Sequence, residues 1–304
     1  MAQKKQPTAN STEYEQSERI KRLVVIGIFS DDYLMERLVL KGGNALNLVL
    51  QIGTRASADI DLSMENDFPP EDLEAIRSRL ENRLQEVFNA EHYHVFDVTL
   101  EPKPDPVSPE LAKFWGGYSA AFKLIEEKHF QKSGGNLTSM RRTTLKIGAW
   151  GKFEIDISKF EYCIPKRAFD MDGYQVFVYT TEMLVAEKLR AICQQMPEYG
   201  PVVKRSRPGS ARARDFLDIH TLITHFKLDM TAPKNLELIK LVFEAKRVPL
   251  ELIGKIKDFR EFHEADFKSV MDTVKPAVVL RDFDFYFDFV LQQAGKLLKA
   301  LGDE

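Results

Sequence analysis

The stretch RASADIDLSM, residues 55–64, sets two carboxylates into an otherwise apolar run, with Asp59 and Asp61 on either side of Ile60 and Leu62 following. In an extended strand, residues i and i+2 share a face. Asp59 and Asp61 therefore project together, while Ile60 and Leu62 turn toward a core. Like charges side by side repel, and one of them rises in pKa unless a cation lies between them. Two readings meet this condition. One is a solvated edge strand with alternating charges; the other is a site for a hard, oxygen-liganded cation, Mg²⁺ or Mn²⁺, of the kind enzymes use with substrate phosphates.

Upstream, LKGGNAL (40–46) reads as a strand, a glycine turn and a helix start. Glycines let backbone N–H groups approach a phosphate closely, and a helix N-terminus favours negative charge. Lys41 can reach the same group. Downstream, FEIDIS (153–158) carries Asp156 between Ile155 and Ile157, a third acid in an apolar frame, with Glu154 on the same face as a reserve candidate. Three carboxylates suit a two-metal phosphoryl or nucleotidyl transfer, and each alone also fits a strand-edge acid facing water. LVAEKLRAI (184–192) brings Lys188 beside an apolar stripe, and RARDFLDIHTL (212–222) places Asp215 and Asp218 at i and i+3 of one helix. Between them KRSRPGSARAR (204–214) holds Lys204, Arg205, Arg207, Arg212 and Arg214. A basic loop next to acids suits a nucleoside triphosphate, a nucleic-acid backbone or both. A solvated surface loop and a Lys188–Asp215 salt bridge between helices are the plainer alternatives.

The whole chain frames these motifs. Its 304 residues allow one large domain or two ordinary ones, and 44% hydrophobic with 29% charged residues is ordinary globular composition. The longest apolar run, LVVIGIF (23–29), is far short of the roughly 20 residues of a membrane span. MAQKKQPTAN has no apolar signal region, and Cys163 and Cys193 form neither a disulfide framework nor a zinc spacing, which points to a reducing, cytoplasmic home. A net charge of −3 argues against non-specific coating of nucleic acid, so any polyanion site is a local patch.

Periodicity predicts helices over 11–29, 44–53 (ended by Gly53) and 69–88. It predicts strands over 38–43, 58–63, 92–100, 118–127, 143–150, 152–158 and 174–179, with Pro102, Pro104, Pro106 and Pro109 marking a loop. From Thr180 the pattern turns helical, beginning with TTEMLVAEKLRAICQQ, and a loop over 197–210 precedes mostly helix. RDFDFYFDFV (281–290) fits either period, with the helix preferred. The expected architecture is α+β: a mixed sheet in residues 1–180 and a helical part over 181–304.

Taken in order, LKGGNAL, RASADIDLSM, FEIDIS, LVAEKLRAI and RARDFLDIHTL resemble the AbiEii/AbiGii toxin nucleotidyltransferases, of the DNA polymerase β-like nucleotidyltransferase superfamily. The resemblance spans about residues 38–225. Arg55, Ser57, Asp59, Ile60, Asp61 and Leu62 agree with the family pattern. Asn44 replaces a hydroxyl residue, Ala56 stands where an aromatic is common, and Ala58 where an acid is. The resemblance implies a nucleotidyltransferase core, NTP with Mg²⁺ (or Mn²⁺) as donor, and a cognate antitoxin. Some relatives modify tRNA 3′ ends. By carry-over, Asp59, Asp61 and Asp156 hold metal, and Asp156 helps deprotonate the attacking hydroxyl. Gly42, Gly43 and Ser57 cradle the triphosphate with Lys41 and Asn44, Lys188 offsets phosphate charge, and Asp215 orients Lys188 or the base. The resemblance thus implies transfer of NMP to an RNA, a toxin or phage-defence role, and the basic loop as the RNA contact. A protein hydroxyl or small-molecule acceptor, or a retired nucleotide-binding module, fits the same residues.

Weaker signals remain. His92 and His94 share a face of a predicted strand but lack a third metal ligand. His220 and His225 lie on a helix whose apolar residues suggest packing, and Cys163 and Cys193 read as plain thiols. The aromatic cluster Phe283, Phe285, Tyr286, Phe287 and Phe289 reads as core, or as an antitoxin or self-association surface.

Overall fold

The apolar alternation around Asp61 and Asp156 builds the centre of a seven-stranded mixed sheet. A computed structural model describes residues 9–54, 59–147, 151–275 and 278–302, with side chains from residue 13 onward. Its strands are β1 (Val39–Leu40), β2 (Ile60–Ser63), β3 (Tyr93–Lys103), β4 (Gly117–Glu126), β5 (Phe153–Ser158), β6 (Arg167–Met171) and β7 (Tyr174–Val178). They lie in the order β3-β4-β5-β2-β1-β7-β6, with β2 parallel to β5, β1 parallel to β7, and antiparallel pairing elsewhere. The helices Ala9–Phe29 and Leu73–Asn89 pack on each other, the first also on β7 and the second on β3. The second presents Ile76, Leu80, Leu84 and Phe88, a spacing that keeps one face apolar. After β7 the chain is mostly helical, with Thr181–Cys193, Ala213–Phe226, Pro233–Glu244 and Phe283–Gly302 as the principal helices. One buried apolar cluster includes sheet residues such as Leu62 and Ile157 together with Phe216 and Phe287 of the helical part.

The predicted α+β class, with a mixed sheet followed by helices, is the observed one. Several local expectations are corrected. Residues 143–147 form no ladder strand, and 148–150 lie outside the described residues. Instead Asn136 caps a helix over Leu137–Arg142 by accepting from the Ser139 N–H. The hydroxyls of Thr143 and Thr144 then bond back to the carbonyls at its end, and both edges of β5 are already taken by β4 and β2. Residues 44–53 form no ordinary α-helix: Ala45–Val49 is a wide π turn. β3 runs on through Pro102 to Lys103, which its place at the sheet edge permits because an edge strand does not need every N–H. β6 has no counterpart among the predicted strands. His92 adopts a left-handed turn conformation before β3, so it does not share a strand face with His94, whose ring stacks on Phe130. Phe283, Tyr286 and Phe287 are buried on the last helix, whereas Phe285 is half-exposed.

Phe122 of β4 sits between Phe88 and Phe153, with ring centroids 5.8 and 5.4 Å away, and is 1% exposed. Phe122→Ala should cost about 3–5 kcal/mol in urea unfolding, from lost burial and the cavity left behind. A loss below about 1 kcal/mol would show that this layer is not core.

Candidate active site

The parallel register of β2 and β5 pairs Asp61 with Asp156 directly, so both carboxylates rise side by side from one face of the sheet. Their neighbours Ile60, Leu62, Ile155 and Ile157 are buried on the other face. Asp59 lies in a bend just before β2 rather than on the strand, and is exposed. Burial pushes the Asp61 carboxyl up to about 6, with Glu187 and Asp156 adding and Lys41 and Lys188 opposing. Asp59, exposed overall but with its carboxyl partly shielded at the cleft, also titrates high, first from that desolvation and then from Asp156 and Glu154. These shifts mark a cluster of acids short of positive charge.

β1 delivers the glycine turn to this cluster. The Lys41 N–H donates to the Asp61 carbonyl at 3.0 Å, and Gly42 follows with φ +67°. A Cβ on Gly42 would stand 2.3 Å from Asp61 Oδ2, so only glycine lets the turn pass this carboxylate. Lys41 itself is buried, its Nζ 3.3 Å from Ser158 Oγ, 3.4 Å from Glu187 and 3.7 Å from Glu161. Asn44 faces inward: its amide donates to the Asp59 carbonyl, and its Oδ1 is buried with no partner among the described residues. Asn44 thus anchors the chain that leads to Asp59 and does not present its amide to the cleft. Ser57 and Arg55 lie outside the described residues.

The helical part closes the site from above. Lys188 donates to Asp215 at 3.2 Å and to Asp218 at 2.7 Å, and Arg212 donates to the other Asp215 oxygen at 2.6 Å. Burial alone would raise Asp215, but Arg212 and Lys188 outweigh it and hold its pKa at about 2. A cavity of about 540 Å³ is lined by Gly42, Gly43, Asp59, Asp61, Arg214 and Asp215, among others. A second, of about 360 Å³, is lined by Lys103, Trp115, Tyr118 and Asp156, and the two share Lys41, Ser158, Glu187 and Arg212. Together they form one cleft over the carboxylates.

The basic loop is not uniform. Lys204 is paired with Glu110, and Arg205 donates to the carbonyls of Gln195 and Met196, which holds the turn below. Arg207 and Arg214 are exposed, and Arg212 and Arg214 line the cleft. The expected five-residue patch therefore divides: Arg212 and Arg214 face the cleft, and Arg207 is exposed on the loop before them.

Five residues in or beneath the cleft have no role assigned by the sequence pattern. Lys103 donates to both Asp156 oxygens, at 2.9 and 3.1 Å. Glu161, just past β5, is buried among Arg190 at 3.0 Å, Lys246 at 3.6 Å and Lys41, which together hold its pKa at about 2 against the opposing effect of burial. Glu187 and Arg190 occupy i and i+3 on the Lys188 helix. That i, i+3 spacing beside Lys188 is the one available signal. For Lys103, Glu161 and Lys246 there is none, because only the folded register brings them in.

His263 is equally silent in the sequence. It is fully buried, its Nδ1 accepts the Arg212 N–H at 3.1 Å, and its Nε2 has no partner among the described residues. The ring thus pins the start of the helix that carries Asp215, and burial drives its pKa down to about 4. A folded pKa below the usual 6.5 means that the unfolded chain binds the extra proton first. The neutral ring's contribution is then complete above pH 6.5 and is lost as pH falls toward about 4, on the order of 3 kcal/mol. Urea titrations at stepped pH should show this loss, and His263→Gln, which keeps an acceptor, should flatten it. An unchanged slope in the variant would remove His263 as its source.

Residues 24–289 match the family model described as nucleotidyl transferase AbiEii toxin, type IV toxin–antitoxin system. The protein is therefore a nucleotidyltransferase. The chain belongs to the AbiEii toxin family. Among solved structures, JHP933 from Helicobacter pylori is 16% identical with a TM-score of 0.45, covering 98% of this chain and 96% of that one. An antigenic nucleotidyltransferase-like protein from Paracoccidioides brasiliensis is 16% identical with a TM-score of 0.35, covering 85% of this chain and 94% of that one. No curated protein matches. Among the described residues, no helix is long and apolar enough to cross a membrane.

Proposed function

We propose that this nucleotidyltransferase moves a nucleoside monophosphate from an NTP to the 3′ end of an RNA, tRNA being the expected class. In this reading it needs Mg²⁺ or Mn²⁺. It acts in the cytoplasm as the toxin of a phage-defence pair that a cognate antitoxin neutralises. The observation that carries this reading is the pairing of Asp61 with Asp156 beside Gly42, under a rim of arginines.

The donor set fits a divalent cation in kind, being carboxylate oxygens that crowd one another and titrate high. Among the described residues no group of three His, Cys, Asp or Glu side chains is closed enough to hold an ion alone. Asp59 and Asp61 would hold it, with triphosphate oxygens completing the shell and Asp156 as the neighbouring third carboxylate. Bound there, the ion would neutralise charge on the phosphates. The chain's own residues do the rest. Gly42 and Gly43 let the triphosphate approach the backbone, and Arg212 and Arg214 meet its charge. Lys188, oriented by Asp215 and Asp218, adds positive charge above the cleft. Asp156 accepts the proton of the acceptor's 3′ hydroxyl as its oxygen attacks the α-phosphorus in line. The new O–P bond forms as the bond to pyrophosphate breaks, and positioning and charge neutralisation lower the barrier.

Incubation with each labelled NTP, Mg²⁺ and total tRNA should label RNA with one or more nucleotides. Asp59→Ala should cut this labelling by on the order of 10²-fold or more, the scale for losing one electrostatic stabiliser. Because Asp59 is exposed, stability should move by less than about 0.5 kcal/mol. Undiminished labelling would remove Asp59 from the site. NTP binding by calorimetry without turnover on any acceptor would favour a retired nucleotide-binding module.

Arg207→Ala tests the acceptor, Arg207 being exposed on the loop and absent from the residues that line the triphosphate cavity. For single-stranded RNA, the slope of log affinity against log salt should fall by about 0.7 for each phosphate that no longer meets an arginine. An unchanged slope would point to a protein hydroxyl or a small molecule instead.

A further inference from the structure

Three lysines surround the carboxylates, and they are not equivalent. Lys41 and Lys188 are buried in the cleft wall and tied into ion pairs, Lys41 with Glu161 and Glu187, Lys188 with Asp215 and Asp218. Lys103 is different: its side chain is 58% exposed, yet its Nζ bridges both oxygens of Asp156 at 2.9 and 3.1 Å. It also feels the charges of Glu154 and Asp59, so it sits on the acidic cluster from the side opposite Lys41.

Sheet register explains how it gets there. Lys103 pairs with Gly117 on β4, and Gly117 pairs with Ser158 on β5, two residues along from Asp156. Gly117 cannot carry a side chain, since a Cβ there would meet the Ile157 carbonyl oxygen at 1.9 Å. The lysine therefore crosses β4 beside a residue with no side chain of its own.

We propose that Lys103 is a positioning residue that supplies the second cation of the site. Its ammonium holds Asp156 where a second metal would otherwise sit, so the chain takes one divalent ion, at Asp59 and Asp61, and not two. A transfer of this class wants positive charge near both the attacking and the leaving oxygen. An ion held by Asp59 and Asp61 would supply that charge on the leaving side, and Lys103 supplies it on the side of the attacking hydroxyl. It offsets the charge of Asp156 and fixes the direction in which its oxygens point. The inference rests on the metal-dependent reading of the cleft given above.

The test counts ions. Mn²⁺ is titrated into the full chain with a saturating α,β-methylene triphosphate analogue, and free Mn²⁺ is read by electron paramagnetic resonance. The wild type should bind one Mn²⁺ per chain, Lys103→Met should bind two, and Lys103→Arg, which restores a cation, should return to one. A structural role alone would not change the count, and far-UV melting curves of both variants establish that they fold. Two ions in the wild type, or one in Lys103→Met, would overturn the role of Lys103 while leaving the metal site standing. No bound Mn²⁺ in any of the three proteins would overturn the metal-dependent reading and this inference together.

Discussion

Two parallel strands in register force Asp61 and Asp156 together, and the rest of the cleft answers the repulsion that follows. A sheet cannot separate these two carboxylates without slipping a residue, and such a slip would turn Ile60, Leu62, Ile155 and Ile157 out of the core. Hydrophobic burial on one face therefore offsets electrostatic crowding on the other. Cations are then required, and the chain brings them from several directions: Lys41 from the end of β1, Lys188 from the helix after β7, and Lys103 across β4.

The helical part is bound to the sheet by more than its shared core. Glu161 lies buried among Lys41, Arg190 and Lys246, residues from the sheet, from the first helix beyond it and from the segment after Pro233–Glu244. Buried ion pairs seldom exceed well-packed apolar groups in net stability, because desolvation offsets their attraction. Their value here is position. They hold Lys41 and Glu187 at the back wall of the cleft, while His263 and Arg212 hold the start of the helix carrying Asp215. A chain with an apolar cluster at these positions could fold but would lack a fixed charge pattern above the carboxylates.

Much of this is legible in the sequence, because periodicity is local. Alternation exposes FEIDIS and the run Ile60–Ser63 as strands with acids opposite apolar residues, though Asp59 falls in the bend before the second, and helical spacing finds Thr181–Cys193 and Ala213–Phe226. The class of fold follows from that succession. What stays hidden depends on distant partners. Lys103 reads as loop because prolines surround it, and it crosses β4 beside Gly117, fourteen residues on. The direction of Asn44, inward to the Asp59 carbonyl, cannot be inferred from a motif in which its neighbours face a ligand. Arg205 and Lys204 look like free charges because the carbonyls and carboxylate they meet lie elsewhere in the chain. The threonines at 143 and 144 suggest a strand by propensity, but their hydroxyls bond back to the carbonyls that end the helix before them.

The central claim is that the carboxylate face and the glycine turn form one site for a triphosphate and its divalent ion. Crystals of the chain with Mn²⁺ and the α,β-methylene analogue test it most directly, through the anomalous signal of manganese. The account predicts a manganese peak at coordination distance, roughly 2.1 Å, from carboxylate oxygens of Asp59 and Asp61, with the triphosphate against Gly42 and Gly43. A triphosphate bound elsewhere, with no manganese at Asp61, would contradict it.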